Sequence, residues 1–354
     1  MSKVSEFFYQ IQRSELFYRI QKTENKPKKM ALVTIGVFSL FLPRLVGPYV
    51  ETVLIFVLVY SLVGAGIYLL MGHAGIISLG QVGFYCIGAY VSALLSIHYD
   101  FSPWIAIFCA AMLNGGIAYV LGKPFCRATG MSLAIITLAF SMVVYLAVSR
   151  LPFTGGHDGI AGIPRLHIGS LNFSDDLYYY LLWGVLGVVL LFTYNLTQKK
   201  IGRGLRALNE FSGGDEVAAI TSGIDTTRLK LQVFVIAAVY ASVAGSLFAH
   251  WMMTVNPNFF NMLVTFVFVM MVGIGGFRSI WGPLIGATFY FGLKEMLTVL
   301  LEGRGVLGIE SVIFGLIFII ILLFLPGGIT SLPREWREWI HEWQRRHEST
   351  AHSS

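Results

Sequence analysis

Long runs of apolar residues with at most one charged residue each recur along the chain. Eight of them approach the roughly 20 residues that a helix needs to cross about 30 Å of hydrocarbon. These runs cover 51–71, 76–97, 104–121, 131–149, 177–194, 231–249, 261–277 and 309–325. Two weaker segments, 31–43 and 284–300, bring the number of candidate spans to ten; the first is short, and the second contains Lys294 and Glu295. The pattern predicts an all-α fold, a polytopic membrane protein with about 10 transmembrane spans.

Composition supports this prediction and excludes an ordinary soluble domain. Apolar residues make up 56% of the chain and charged residues only 12%, whereas a globular protein carries about 25% charged residues. Glycine is frequent, with 38 of 354 residues. In lipid, small residues let helices approach closely and permit broken helices around polar cavities.

Basic residues follow one side of the predicted topology. With the N-terminus inside, the inner segments 1–30, 122–130, 195–230, 278–283 and 326–354 hold twenty Lys and Arg, and the outer segments hold four. This asymmetry obeys the positive-inside rule, so we expect both termini in the cytoplasm. It also accounts for the net charge of +6 without a nucleic-acid partner.

We expect three regions along the chain. Residues 1–30 form a basic, amphipathic cytoplasmic segment, residues 31–330 form the transmembrane domain, and residues 331–354 form a cytoplasmic tail. In the tail, Trp336, Trp339, Ile340 and Trp343 follow helical spacing, which is typical of a helix lying on the lipid headgroups. Contact with membrane lipid accounts for both terminal segments.

Three glycine-rich stretches interrupt the apolar pattern, at 72–81, 154–164 and 273–283. An unwound turn frees backbone polar groups, which survive at membrane depth only where protein or a water-filled cavity satisfies them. Broken helices that point at a substrate recur in transporters; close helix packing, or a tight outer loop for 154–164, would explain the glycines equally well. The candidate substrate-path residues are His73, Gly75, Ser78, Gly80, Gln81, Gly275, Gly276 and Arg278. For His73 and Arg278, which lie at predicted span ends, snorkelling to the interface is the alternative.

The long inner loop, 195–230, contains a second candidate site. After Gly213 and Gly214, the acidic residues Asp215 and Glu216 begin a short helix signal that ends at Gly223, where a left-handed cap is favoured. We interpret it as a docking helix for a cytoplasmic partner; a solvated connector is the alternative. The chain has no G-x-x-x-x-G-K-[ST] phosphate loop. It also lacks a recognisable catalytic or zinc motif, so we expect a non-catalytic protein without a cofactor or metal of its own.

At these motifs the sequence resembles the branched-chain amino acid ABC permease family of the LivM type, over roughly 31–330. The resemblance is carried by Ser78-Leu79-Gly80-Gln81 with Ile87-Gly88-Ala89-Tyr90; by Thr154-Gly155-Gly156 with Asp158-Gly159-Ile160 and Gly162-Ile163-Pro164; by Ile201-Gly202-Arg203 with Leu205-Arg206-Ala207; by Ala218-Ala219 with Gly223-Ile224; and by Gly275-Gly276 with Gly282-Pro283 and Gly286-Ala287. Each motif is short, but their order and spacing along one chain are specific.

The resemblance implies a permease subunit of a binding-protein-dependent importer in the prokaryotic cell membrane. Its partners would be a second homologous permease, two cytoplasmic ATPase subunits that bind ATP, and an extracytoplasmic substrate-binding protein. Glu216, Ala218, Ala219 and Gly223 would form the ATPase-docking site, although Glu216 stands one residue further from Ala219 than in the usual E-A-A motif.

Two alternatives remain open at the level of sequence. Related permeases with the same motifs import urea or small carboxylic and aromatic acids, so the expected substrate, a branched-chain or related small amino acid, has rivals within the class. A stand-alone secondary transporter or channel would also have broken helices. It would not explain a docking helix, and we would expect a clearer intramembrane carboxylate relay than Glu295.

Overall fold

Ten α-helices dominate the described part of the computed structural model, which comprises residues 47–126, 130–168, 171–208, 216–277, 279–301, 313, 315–317, 319 and 328–331. The helices are α1 Pro48–Ile67, α2 Gln81–His98, α3 Pro103–Phe125, α4 Gly130–Arg150, α5 Asp175–Gln198, α6 Lys200–Leu208, α7 Glu216–Thr221, α8 Thr226–Met252, α9 Met262–Gly275 and α10 Gly282–Leu301. Contacts divide the chain into Met1–Thr52 and Val53–Ser354. Of the first unit only residues 47–52 are described, where α1 begins.

The remaining elements are short. Strand β1 (Ile160–Ala161) pairs antiparallel with β4 (Thr254–Val255), and β2 (His167–Ile168) pairs with β3 (Leu171–Asn172). Turns of 3-10 helix cover Pro152–Thr154, Pro257–Phe260 and Ile329–Ser331. The predicted all-α, polytopic fold class is confirmed.

Helix starts follow local capping chemistry. Ser174, Asp225 and Asn261 precede α5, α8 and α9, and each side chain accepts a hydrogen bond from a backbone N–H in the first turn. Such caps satisfy donors that a helix leaves unpaired at its N-terminus. The polar residues between apolar runs therefore decide where the long helices begin.

Six of the described helical segments are long and apolar enough to cross a membrane: Pro48–His73, Gln81–His98, Pro103–Phe125, Gly130–Arg150, Asp175–Gln198 and Thr226–Met252. They coincide with six predicted spans. The predicted span 261–277 is shorter in the structure, because α9 has only 14 residues and covers about 21 Å. Span 31–43, most of 309–325, the segment 1–30 and all but the first residue of 331–354 lie outside the described residues, so the count of ten stays a prediction.

The core forms where α8 packs against α2 and α3. A methyl group on Gly245 of α8 would lie 2.0 Å from the Tyr85 carbonyl oxygen, and one on Gly88 of α2 would lie 2.3 Å from the Ser242 carbonyl oxygen. The helix axes therefore approach until backbone meets backbone. Ser246 then donates a 2.9 Å hydrogen bond to the Gly88 carbonyl, a contact typical of small-residue interfaces in membranes.

Loops at the two ends of the helices meet in separate groups. The loop after α4 pairs with the residues after α8 through Ile160 and Val255. Gly72, at the end of the α1 segment, lies against the backbone of Phe277, just after α9. The first contact lies just before α9 and the second just after it; which end faces the cytoplasm stays a prediction.

Candidate functional site

The first glycine-rich stretch is a true break between two spanning segments. After α1 the backbone continues as a π-helical turn, Tyr68–His73, and residues 75–80 are not helical before α2 starts at Gln81. Short π segments are frequently found at functional sites. The turn satisfies the first freed donors, because Ala74 N–H donates to the Leu69 carbonyl and Ile76 N–H to the Leu70 carbonyl.

Two hydroxyl groups of α4 form hydrogen bonds with the backbone at the end of the broken segment. The Leu79 N–H donates to Thr137 Oγ1 at 3.0 Å, and Ser141 Oγ donates to the Leu79 carbonyl at 3.1 Å. Ser141 Oγ also accepts from the Gly83 N–H at 3.3 Å. Sequence reasoning missed both residues, although two hydroxyls four positions apart lie on one helix face and are a usable signal.

Several predicted path residues gather at this break. Ser78, Gly80 and Gln81 are buried, whereas His73 and Gly75 are partly exposed. The Gln81 side chain is only 2% exposed, and neither its amide nitrogen nor its amide oxygen has a hydrogen-bond partner. A buried amide normally finds partners, and a contact of this side chain with the substrate stays a prediction.

The third stretch is a tight helical hairpin between α9 and α10. A methyl group on Gly275 would lie 1.8 Å from the Gly282 carbonyl oxygen, and one on Gly286 would lie 1.7 Å from that of Met271. Gly276 has φ +103°, a conformation that other residues rarely adopt. Close packing thus accounts for Gly275 and Gly276, which are buried, and their role in the substrate path stays a prediction.

The structure brings the first and third stretches together at one point. A methyl group on Gly72 would lie 2.1 Å from the Phe277 carbonyl oxygen. The neighbouring candidate Arg278 lies outside the described residues. The broken segment and the α9–α10 hairpin are therefore in close contact at Gly72 and Phe277.

The second glycine-rich stretch, 154–164, makes hydrogen bonds and close backbone contacts with the residues that follow α8. The Asn256 amide donates to the carbonyls of His157 and Asp158 at 3.1 and 3.3 Å. A methyl group on Gly159 would meet the Val255 carbonyl oxygen at 2.1 Å. The Ile163 N–H donates to the Met253 carbonyl at 3.1 Å. These contacts favour the tight-loop interpretation of 154–164.

Helices α6 and α7 form an arm that the charge pattern predicts on the inner side of the membrane, called the inner arm below. Helix α6 contacts the π-helical turn, and Arg206 lies within electrostatic range of Tyr68 and His73. Gly223 adopts φ +79° after α7, which confirms the predicted left-handed cap. Helix α6 of the arm is therefore in direct contact with the broken segment.

Ala219 of α7 does not face outward as the docking prediction requires. Its side chain is 4% exposed within the chain itself, whereas Ile220 is 55% exposed and Gly223 has open space around it. The side chains of Glu216 and Ala218 lie outside the described part of the structure. If a partner docks on α7, the exposed residues 220–223 are described and open to it.

These features define the class: a multi-pass helical membrane protein with a broken transmembrane helix and an arm packed against the break. The chain belongs to the family described as "Branched-chain amino acid transport system / permease component", whose sequence model matches residues 49–322.

Curated relatives agree with this family. The chain is 28% identical over 332 residues to the high-affinity branched-chain amino acid transport system permease protein LivM of Salmonella typhimurium, and equally to that of Escherichia coli (strain K12); each match covers 87% of the chain and 76% of the relative. It is 30% identical over 298 residues to LivH of Salmonella typhimurium, covering 77% of the chain and 92% of the relative. No solved structure matches the chain.

Proposed function

We propose that this chain is a permease subunit of an ABC importer that carries branched-chain or related small amino acids across the prokaryotic cell membrane. The observation that carries the proposal is the family match over 49–322, which includes both the broken segment and the inner arm. The relatives named LivM and LivH are both permease proteins of a branched-chain amino acid transport system. The substrate assignment rests on that resemblance.

The assembly would pair this chain with a second, homologous permease. Two cytoplasmic ATPase subunits bind and hydrolyse ATP, and an extracytoplasmic binding protein delivers the amino acid. In this arrangement the chain needs no cofactor and performs no catalysis. Its similarity to both LivM and LivH relatives supports a pair of related permeases.

The inner arm is the proposed ATPase contact. Ile220 exposes an apolar side chain on α7, where a partner surface can bury it. Helix α6 contacts the π-helical turn that opens into the break. A movement imposed on α7 and α6 would therefore reach the broken helix without crossing the whole membrane.

The arm lies on the cytoplasmic side in our proposal, with both termini on the same side. This orientation rests on the excess of Lys and Arg in the inner segments. A cysteine introduced at Ser222 should react with a membrane-impermeant reagent only from the cytoplasmic side, and one at Asp158 only from outside. Reaction of both from one side would overturn the orientation.

Uptake in a strain lacking the gene tests the substrate. We expect deletion to abolish high-affinity uptake of labelled leucine and the intact gene to restore it. Competition by urea or a short carboxylate, in place of leucine and valine, would move the substrate to those alternatives. Uptake that persists when the ATPase genes are deleted would favour a stand-alone transporter.

A further inference from the structure

Helix α3 divides into a side of small residues and a side of large ones. Positions on its buried side recur every four residues and hold Ala106, Ala110, Asn114, Ala118 and Gly122. Small residues let neighbouring helices approach closely in a membrane, and a methyl group on Gly122 would lie 2.6 Å from the Leu231 side chain of α8. The chain itself therefore occupies the side of α3 that is best suited to contact with a helix.

The opposite side of α3 exposes large apolar side chains. Phe108, Met112 and Val120 are 66%, 64% and 66% exposed. Of the six spanning segments in the described part of the chain, α3 is the least buried. Gly116 is the single small residue among the exposed positions of 105–122, all of which are described. Either lipid acyl chains or a helix of another subunit must cover this side in a membrane.

Both ends of the exposed side carry residues that favour the boundary between hydrocarbon and water. At one end, Trp104 is 38% exposed, and its indole N–H donates to the His167 carbonyl at 3.0 Å. At the other end, the Lys123 ammonium lies 4.5 Å from the centre of the Tyr119 ring, which is an attractive cation–π contact. Amphipathic aromatic rings and lysines that extend to the headgroups are typical of membrane interfaces.

The separation of the two ends matches the thickness of a bilayer. Trp104 and Lys123 are 19 residues apart, which corresponds to about 28 Å along an α-helix. The hydrocarbon core of a bilayer is about 30 Å thick. No charged residue lies between these two positions. An apolar surface of this length with an interfacial residue at each end is what contact with lipid requires.

A helix of another subunit fits this side less well. Helix interfaces in membranes are enriched in small residues, and α3 presents most of its small residues to its own chain. Gly116 alone offers a recess, because no atom lies within 4 Å of a methyl group added there. One turn to either side, Met112 and Val120 would hold a second helix away.

We propose that the exposed side of α3 faces lipid, and that Lys123 binds the phosphate of a lipid headgroup at its end. Acyl chains cover Phe108, Met112 and Val120. The Lys123 ammonium donates to phosphate oxygens while it remains in contact with the Tyr119 ring. This inference goes beyond the proposed function, because the second permease must then contact the chain at a surface other than α3.

Photocrosslinking in cell membranes tests which molecule covers α3. Met112→p-benzoylphenylalanine and Val120→p-benzoylphenylalanine place the reactive group one turn before and one turn after Gly116. The chain is isolated through an affinity tag, together with the subunits bound to it, and its mass is measured. We expect the mass of one phospholipid to be added at both positions. Ser222→p-benzoylphenylalanine is the control, since position 222 is exposed outside the spanning segments and should gain no phospholipid.

A crosslink from position 112 or 120 to another subunit would place a helix at Gly116 and overturn the proposal. Equal addition of phospholipid at positions 112 and 222 would also contradict it. Phospholipid adducts on a chain that copurifies with no second permease would support the proposal and contradict the proposed assembly, so the two failures are distinguishable.

The headgroup contact is tested by Lys123→Gln in the purified complex, with phosphatidylglycerol as the probe and native mass spectrometry as the measurement. We expect this variant to bind phosphatidylglycerol about fivefold more weakly, as for the loss of one cation near a membrane surface. Lys123→Arg, which keeps the charge, should bind it as the unmodified chain does. Equal binding by Lys123→Gln and Lys123→Arg would contradict the role of Lys123.

Discussion

The crossing of α2 and α8 gives the sharpest stability prediction. Gly245 leaves no room for a side chain, because a methyl group there would lie 2.0 Å from the Tyr85 carbonyl oxygen, whereas ordinary contacts begin at 3.4 Å. Gly245→Ala must therefore push the helices apart by about 1.4 Å. Overpacking of this kind costs about 1–3 kcal/mol.

The same displacement would weaken the polar contacts of the crossing. The hydrogen bond from Ser246 to the Gly88 carbonyl, at 2.9 Å, would be stretched by this movement. Asn114 of α3 donates both to the Phe84 carbonyl of α2, at 3.1 Å, and to Ser242 Oγ of α8, at 2.7 Å, so separating α2 from α8 would also stretch one of these bonds. Each contributes roughly 0.5–1.5 kcal/mol. We therefore expect a total loss of about 2–4 kcal/mol of unfolding free energy for Gly245→Ala.

Gly116→Ala is the matched control, since Gly116 lies in α3 with no atom within 4 Å of an added methyl group. Alanine there should be neutral or stabilising by up to about 1 kcal/mol through helix propensity. The assay is the fraction of protein that remains monodisperse after heating in detergent. Equal thermal stability of the two variants would refute the close approach of α2 and α8.

Three further changes test other parts of the account. Ser141→Ala should reduce uptake several-fold with normal membrane insertion, because the Leu79 carbonyl loses its donor; uptake within twofold of wild type would contradict this. Gly223→Val places a β-branched residue at φ +79° and should weaken the arm by about 1–2 kcal/mol, measured as faster proteolysis of the inner loop; unchanged proteolysis would contradict this. Asn256→Ala frees the outer loop and should increase its proteolysis from outside; unchanged cleavage would show that the bond is dispensable.

Much of the fold could be predicted from the lengths of the apolar runs and from the positions of the charged residues. Six predicted spans coincide with described helices because about 20 apolar residues have few alternatives to a transmembrane helix. The cap at Gly223 was predictable, since a glycine after a short helix favours positive φ. These features depend on residues that are near one another in the sequence.

What sequence reasoning missed depends on contacts between distant residues. The run 261–277 predicts a full span, but Gly275 and Gly276 end α9 early so that α10 can pack back against it. The hydroxyl of Thr137 meets Leu79, which is 58 residues away. Ala219 faces into its own chain, because packing rather than helix periodicity decides which side of so short a helix is covered.

The most direct test of the central claim is leucine transport by the purified complex in proteoliposomes. The complex contains this chain, the second permease and the two ATPase subunits; binding protein is added outside and ATP is enclosed. We predict accumulation of leucine above equilibrium only when ATP and binding protein are both present. We also predict its loss in Ile220→Arg, which places a charge on the exposed face of α7, with release of the ATPase. Accumulation without ATP, driven by an ion gradient and unaffected by Ile220→Arg, would contradict the account.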